Sequence, residues 1–263
     1  MDSNTPPTYS PLMNPLSLRV VIAYLVVYAS YLVFLLSDSQ AIALGREDGL
    51  IESTGATLYF FASCLFFAAW LNSSGSGNDF GRIKTVRNLF FLLLAVLFLI
   101  CAGEEISWGQ RIFNWQSPQF LLEENAQEET NLHNIRLFHA MNPDGSRKSF
   151  MAMLLNMSRL LSIFWLSFCV IVPLIDRYSS RARSFFHKIG LPIAPLWLSA
   201  LFFSHAVFFH FMFNFSAGMP TGVLNTMNEL KESNYAFMFA VLGLIILRKQ
   251  MSQAPPPESH KPD

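Results

Sequence analysis

Residues 103–111, GEEISWGQR, place two adjacent carboxylates, a hydroxyl, an indole, an amide and a guanidinium directly after an apolar run. Paired carboxylates suit two kinds of chemistry. They can hold a divalent cation such as zinc, or they can divide acid and base roles in a hydrolysis. The guanidinium of Arg111 adds a group that grips a phosphate through two parallel hydrogen bonds. Further along, His133 sits in the stretch NLHN at 131–134, and Glu229 and Glu232 open the last apolar block. Glu47, Asp48 and Glu52 open an earlier one, and His205 and His210 lie inside another.

Spacing sorts these candidates. Glu104, Ser107 and Arg111 fall at i, i+3 and i+7, which is one face of a continuous helix. Asn225, Asn228, Glu229 and Glu232 fall at i, i+3, i+4 and i+7, again one face. His210 and Asn214 share a face. His205 and His210 point about 140° apart and do not fit one ligand set. The sequence holds no HExxH box, no paired HxxxH boxes, no glycine-rich phosphate loop and no repeat of fixed period.

The elements that must carry these groups follow from composition. The chain has 263 residues, of which 52% are hydrophobic and only 14% charged, against about 25% charged in soluble domains. The apolar residues come in long blocks, so the fold is expected to be an all-α polytopic bundle crossing a membrane. The net charge of zero gives no reason to expect a nucleic-acid partner; membrane lipids are the expected one. Cys64, Cys101 and Cys169 sit inside apolar blocks without metal-type spacing and are read as packing residues.

Six blocks can supply the roughly 20 residues that a span needs: 18–36, 51–71, 88–108, 150–175, 195–215 and 229–248. Residues 1–17 and 249–263 read as disordered tails around a membrane domain at 18–248. Cations fix the orientation. With the N-terminus in the cytoplasm, the inner segments collect Arg19, Arg82, Lys84, Arg87, Arg177, Arg181, Arg183, Lys188, Arg248, Lys249 and Lys261. An even number of spans then returns the C-terminus to the cytoplasm. The outer loop at 114–149 is expected to form two short helices, one from 117 to 125 and one from about 130, that roof the bundle and bring His133 over the carboxylates.

Depth makes the acids notable. At 1.5 Å per residue, Glu104 lies ~24 Å above the inner end of its span, and His210, Asn214, Glu232, Glu229 and Glu52 lie at ~21–28 Å in theirs. Four spans thus place polar groups near one level, inside or beside the hydrocarbon edge. Ionisable groups at such depth face a bundle interior or a wet cavity. Each also has a purely structural explanation: Glu104 or Glu105 can pair with Arg111 or Arg136, and a mid-span His205 can bond across helices.

The stretches REDGLIES at 46–53, GEEISWGQRIFNW at 103–115 and the later N-Q-E-NLHN positions resemble a family of bacterial integral membrane proteins of unknown function. The resemblance covers roughly residues 45–136. It implies that Glu47, Asp48, Glu52, Glu104, Glu105, Trp108, Gln110, Arg111, Asn125, Gln127, Glu129, Asn131, His133 and Asn134 belong to one motif, and it implies residence in a bacterial inner (cell) membrane. A looser similarity is to membrane hydrolases of the alkaline ceramidase and adiponectin-receptor type, whose His-pair and Ser-His signatures do not line up here.

Three functions are therefore expected as alternatives. One is a metal-dependent hydrolase or transferase for lipid or lipid-linked substrates, with Glu104, Glu105 and His133 as ligands and Glu105, Glu229, Glu232 and Arg111 in the chemistry. The second is a non-catalytic scaffold with a buried salt-bridge network. The third is a proton- or ion-coupled transporter.

Overall fold

The computed structural model describes residues 15–119 and 156–253, together with 125, 130, 131, 135, 138, 146, 148 and 149. Among these residues the chain is helical, with isolated antiparallel bridges at Asp79–Lys84 and Asn125–Ile135 and no strand. Among the described residues, five helical stretches are long and apolar enough to cross a membrane: Leu18–Leu35, Leu50–Leu71, Arg159–Tyr178, Leu196–Phe215 and Thr221–Ser252.

In chain order, α1 (Pro15–Ala29) runs on as a 3-10 segment to Leu35, followed by α2 (Asp38–Leu44), α3 (Leu50–Leu71), α4 (Leu89–Glu105) and α5 (Gln110–Phe113). Next come α6 (Met157–Trp165), a π turn (Leu166–Ile171), α7 (Val172–Tyr178), α8 (Ser180–Lys188), α9 (Leu196–Phe215) and α10 (Thr221–Gln253). The π turn has a local cause. Pro173 has no N–H for the carbonyl of Cys169 and its ring presses on that carbonyl, so the helix widens just ahead of it.

Helix α3 is the centre of the bundle, packed on α10 along one side and on α4 along the other. Small residues allow this. Gly55 faces Ser233, Gly243 faces Leu65 and Phe66, and Ala62, Ala236 and Ala240 are buried between them. Lipid tails are as apolar as leucine, so such close backbone approach, rather than hydrophobic exclusion, drives helix association in a membrane. Ser63 adds a cross-helix bond to the Ala95 carbonyl of α4 at 2.7 Å. Around this seam lies an aromatic core. Phe98 of α4 and Phe239 of α10 stand 4.6 Å apart between ring centroids, with Phe66, Phe164 and Phe202 packed about them.

The end of the bundle remote from the acids is tied by asparagines that the hydropathy pattern did not single out. Asn78 donates to the Ile189 carbonyl at 2.7 Å and accepts from the Leu89 N–H at 2.7 Å. Asn88 donates to the Gly190 carbonyl at 2.6 Å and caps α4 by accepting from Phe90 N–H. Gly190 is left-handed (φ 70°), and a Cβ there would meet both Asn side chains.

Several boundaries differ from the sequence reading. The last helix starts at Thr221 rather than 229 and has 33 residues, about 50 Å, so it overruns the hydrocarbon core at its ends. It continues to Gln253 and α1 starts at Pro15, so helix enters both stretches read as tails. Helix α2 lies in a segment read as loop. It is started by Ser37, whose N–H donates to Gln40 Oε1 at 3.2 Å, a capping box present in the sequence. The expected helix at 117–125 falls mostly on residues outside the described set. The one expected from about 130 does not begin there: Asn131 is not helical and Ile135 bridges Asn125, because Asn125 Nδ2 donates to both the carbonyl and the Oδ1 of Asn131 and closes a turn instead.

Candidate functional site

Three local devices build the acidic end of the bundle. The first is the end of α4. After Glu105 the backbone turns through Ser107, Trp108 and Gly109, all left-handed (φ 46°, 52° and 80°). Left-handed non-glycine residues are strained, and two in a row persist only where the surroundings hold them. Here Trp108 folds back on α4 and donates from Nε1 to Glu104 Oε1 at 2.7 Å. It fits because residue 103 is glycine: a Cβ there would lie 2.9 Å from the indole. Ser107 is buried and accepts from Asn131 Nδ2 at 3.2 Å, while Gln110 Oε1 accepts from the Thr130 N–H at 2.6 Å. The GEEISWGQ stretch is thus a corner that turns the chain, holds the following loop and fixes a carboxylate.

The second device is the turn into α3. Asp48 is left-handed (φ 58°) and its N–H donates to Glu52. Glu52 therefore satisfies a donor at the start of the helix that it sits in. The third is the seat of α2 on α10. Gly45 lies against Thr226 and Gly222 against Ile42, too close at both places for a side chain. That contact brings Arg46 and Glu47 over the first turns of α10.

Between these devices lies a part-open cavity of about 780 Å³. Its polar end carries Glu47, Glu52, Glu104, Glu105, Glu229 and Glu232, joined by Arg46, Ser107, Asn131, Asn225 and Asn228. The face of α10 read from spacing is the face that lines it. Glu105 is the focus: Glu232, Glu229, Glu52 and Glu104 all act on it electrostatically. The other end is apolar and is formed by Leu97, Phe98, Ile100 and Cys101 of α4 and by Met157, Leu160, Leu161 and Phe164 of α6. Volumes of ~300–1,000 Å³ with a mostly apolar lining and a few convergent polar groups are typical of ligand sites.

Other candidates fall elsewhere. Asp48 is exposed and serves the turn. His205 is fully buried but outside the cavity. Its Nε2 meets the Tyr31 hydroxyl at 2.9 Å, and its ring edge meets Tyr235, centroids 5.1 Å apart. It bolts the 3-10 end of α1 to α9. His210 bonds Asn214 at 3.1 Å, as their spacing implied, and lines a smaller cavity of about 270 Å³ with Trp165, Lys231 and Tyr235. Glu232 borders both cavities and pairs with Lys231 at 3.4 Å. Arg111 lies in α5, beyond the left-handed corner, so the single continuous face expected for Glu104, Ser107 and Arg111 is broken; Ser107 reaches the cavity through the corner itself. His133 and Asn134 lie outside the described residues, as do Gln127 and Glu129. Among the described residues, no three His, Cys, Asp or Glu side chains are grouped to hold a metal ion.

No protein-family model, no curated protein and no solved structure matches this chain. The functional reading rests on the residues and on the cavity they build.

Proposed function

We propose that this protein is an integral membrane enzyme, a hydrolase or transferase, that takes a lipid or lipid-linked substrate into the acidic cavity. One observation carries the reading: a single cavity is lined both by a cluster of carboxylates and by a run of mostly apolar side chains on α4 and α6, which matches a molecule with a polar head and a hydrocarbon chain. Glu105, Glu229 and Glu232 are the acid–base groups. In hydrolysis, one carboxylate takes a proton from water as its oxygen attacks the substrate carbonyl or phosphoryl centre, and a protonated partner gives its proton to the departing oxygen. Glu104 and Glu105, with His133, are the candidate ligands of a divalent cation such as zinc, which would polarise the same centre, and Arg111 is the candidate phosphate grip.

The proposed topology has six spans, with α4 as the sixth. Its 17 residues cover about 25 Å, and local thinning of the bilayer accommodates such a short span. The cation pattern then sets both termini in the cytoplasm and the cavity on the opposite side.

The test is turnover. Protein reconstituted with a total lipid extract is incubated, with and without added Zn²⁺, and products are followed by mass spectrometry beside Glu105→Gln and Glu229→Gln. Products that form with wild type and vanish in variants of unchanged unfolding temperature support the enzyme. A second reading, the scaffold, draws on the bonds from Trp108 to Glu104 and from Asp48 N–H to Glu52, where carboxylates fasten the fold. Absence of turnover, together with destabilised variants, would favour it.

A further inference from the structure

We infer that the hydrocarbon chain of the substrate enters sideways from the bilayer, between α4 and α6, and that only its head-proximal part is held. The inference rests on the lipid-enzyme reading and names the substrate's path and the part of it that is recognised. Most of the apolar lining of the cavity comes from α4 and α6, with Tyr59 of α3 beside Phe98. Helices α4 and α6 meet at its floor, where Phe98 and Phe164 pack edge to face with centroids 6.5 Å apart. Above that floor Ile100 of α4 and Leu160 of α6 line the cavity and are 40% and 38% exposed, so they stand as the doorposts of the inferred opening.

The slot is also short. From Glu105 down to Leu97 is eight residues of α4, about 12 Å, and Met157 to Phe164 of α6 gives about 10 Å. One leaflet of hydrocarbon is about 15 Å deep. A chain drawn into the slot therefore keeps its far end in the membrane, and extraction costs little apolar exposure because most of the chain never leaves lipid. The substrate class is a membrane acyl or prenyl lipid whose reacting bond lies next to its headgroup. Bulk in the held part of the chain is selected against by Phe98, Leu161 and Phe164, and distal chain length is not read.

The test uses full-length protein in phosphatidylcholine vesicles doped with phospholipid carrying a diazirine partway down one acyl chain, about 12 Å from the carboxyl group, the depth of Leu97 below Glu105. After illumination, adducts are mapped by peptide mass spectrometry. The expected result is labelling of Leu97 and Leu161 in wild type. The double variant Ile100→Trp/Leu160→Trp should lose at least tenfold of it, and Leu93→Trp, on the lipid face of α4, should not. Interior labelling that the doorpost tryptophans leave unchanged would overturn the lateral path while leaving the lipid reading standing. Interior positions that stay unlabelled in wild type while Leu93 is labelled would overturn both. A diazirine moved to the chain end should label Leu93 and spare Leu97; equal labelling of Leu97 from both positions would overturn the claim that only the proximal chain is held.

Discussion

Trp108 donates its indole N–H to Glu104 at 2.7 Å across a helix end that has already broken. The bond does two things at once. It holds the left-handed corner of Ser107–Gly109, and it orients one carboxylate of the cavity. Replacing Trp108 by Phe keeps an aromatic ring, though a smaller one, and removes the donor. A hydrogen bond to a charged group is worth about 1.5–3 kcal/mol, so Trp108→Phe should lower the unfolding free energy in detergent by about that amount. Gly103→Ala should do similar damage by pushing the indole off α4, and chemical denaturation of both variants checks this.

Gly190 is predicted to resist replacement at the opposite end. Its left-handed backbone resists any side chain, and a Cβ would lie 2.9 Å from Asn78 Nδ2 and 3.0 Å from Asn88 Nδ2. Gly190→Ala combines a left-handed alanine, about 1–2 kcal/mol, with loss of the asparagine bonds, about 1 kcal/mol each. The thermal unfolding midpoint should fall more for this variant than for Gly81→Ala, which is also left-handed but has open space around it.

Tyr31→Phe should destabilise without touching chemistry. It strands the Nε2 of the buried His205. Hydrogen bonds between helices in membranes are worth about 0.6 kcal/mol on average and up to about 1.7, and this one is fully buried, so the upper end is expected. Lipid turnover at a temperature well below unfolding should be unchanged; a fall in turnover with an unchanged unfolding midpoint would place His205 in the reaction after all.

Asp79 sets a small acid-dependent term in the loop that precedes α4. The Gly81 N–H donates to its carboxylate at 2.8 Å and holds its pKa below the ordinary 3.8, with Lys84 helping. The sign follows from the direction. A carboxylate depressed in the folded state contributes stability above its unfolded pKa and loses that contribution as pH falls through the folded value. Asp79→Asn should therefore flatten only the portion of the stability profile below about pH 4, and titration of unfolding midpoints across that range checks it.

Much of the site was written along single helices. The faces of Asn225, Asn228, Glu229 and Glu232, and of His210 and Asn214, follow from 3.6 residues per turn, and the structure keeps both. Five of the six apolar blocks likewise marked helices long enough to cross a membrane, because burial in hydrocarbon leaves a local signature of length and composition; the block at 88–108 instead forms the shorter, 17-residue α4. Glu47 and Glu52 line the cavity, whereas Asp48 between them is exposed and takes the left-handed turn into α3.

What the sequence by itself determined was therefore local: helix faces, apolar lengths, and the capping box at Ser37 and Gln40. Tertiary structure alone decided that α4 stops at Glu105, since the left-handed corner that ends it is held by Trp108 on α4 and by Asn131 from the loop beyond. It also decided that His205 serves Tyr31 rather than the acids, and that apolar residues of α4 and α6 line the same cavity as the carboxylates. Each of these depends on contacts between residues far apart in the chain, and helical periodicity carries no record of which helix lies opposite.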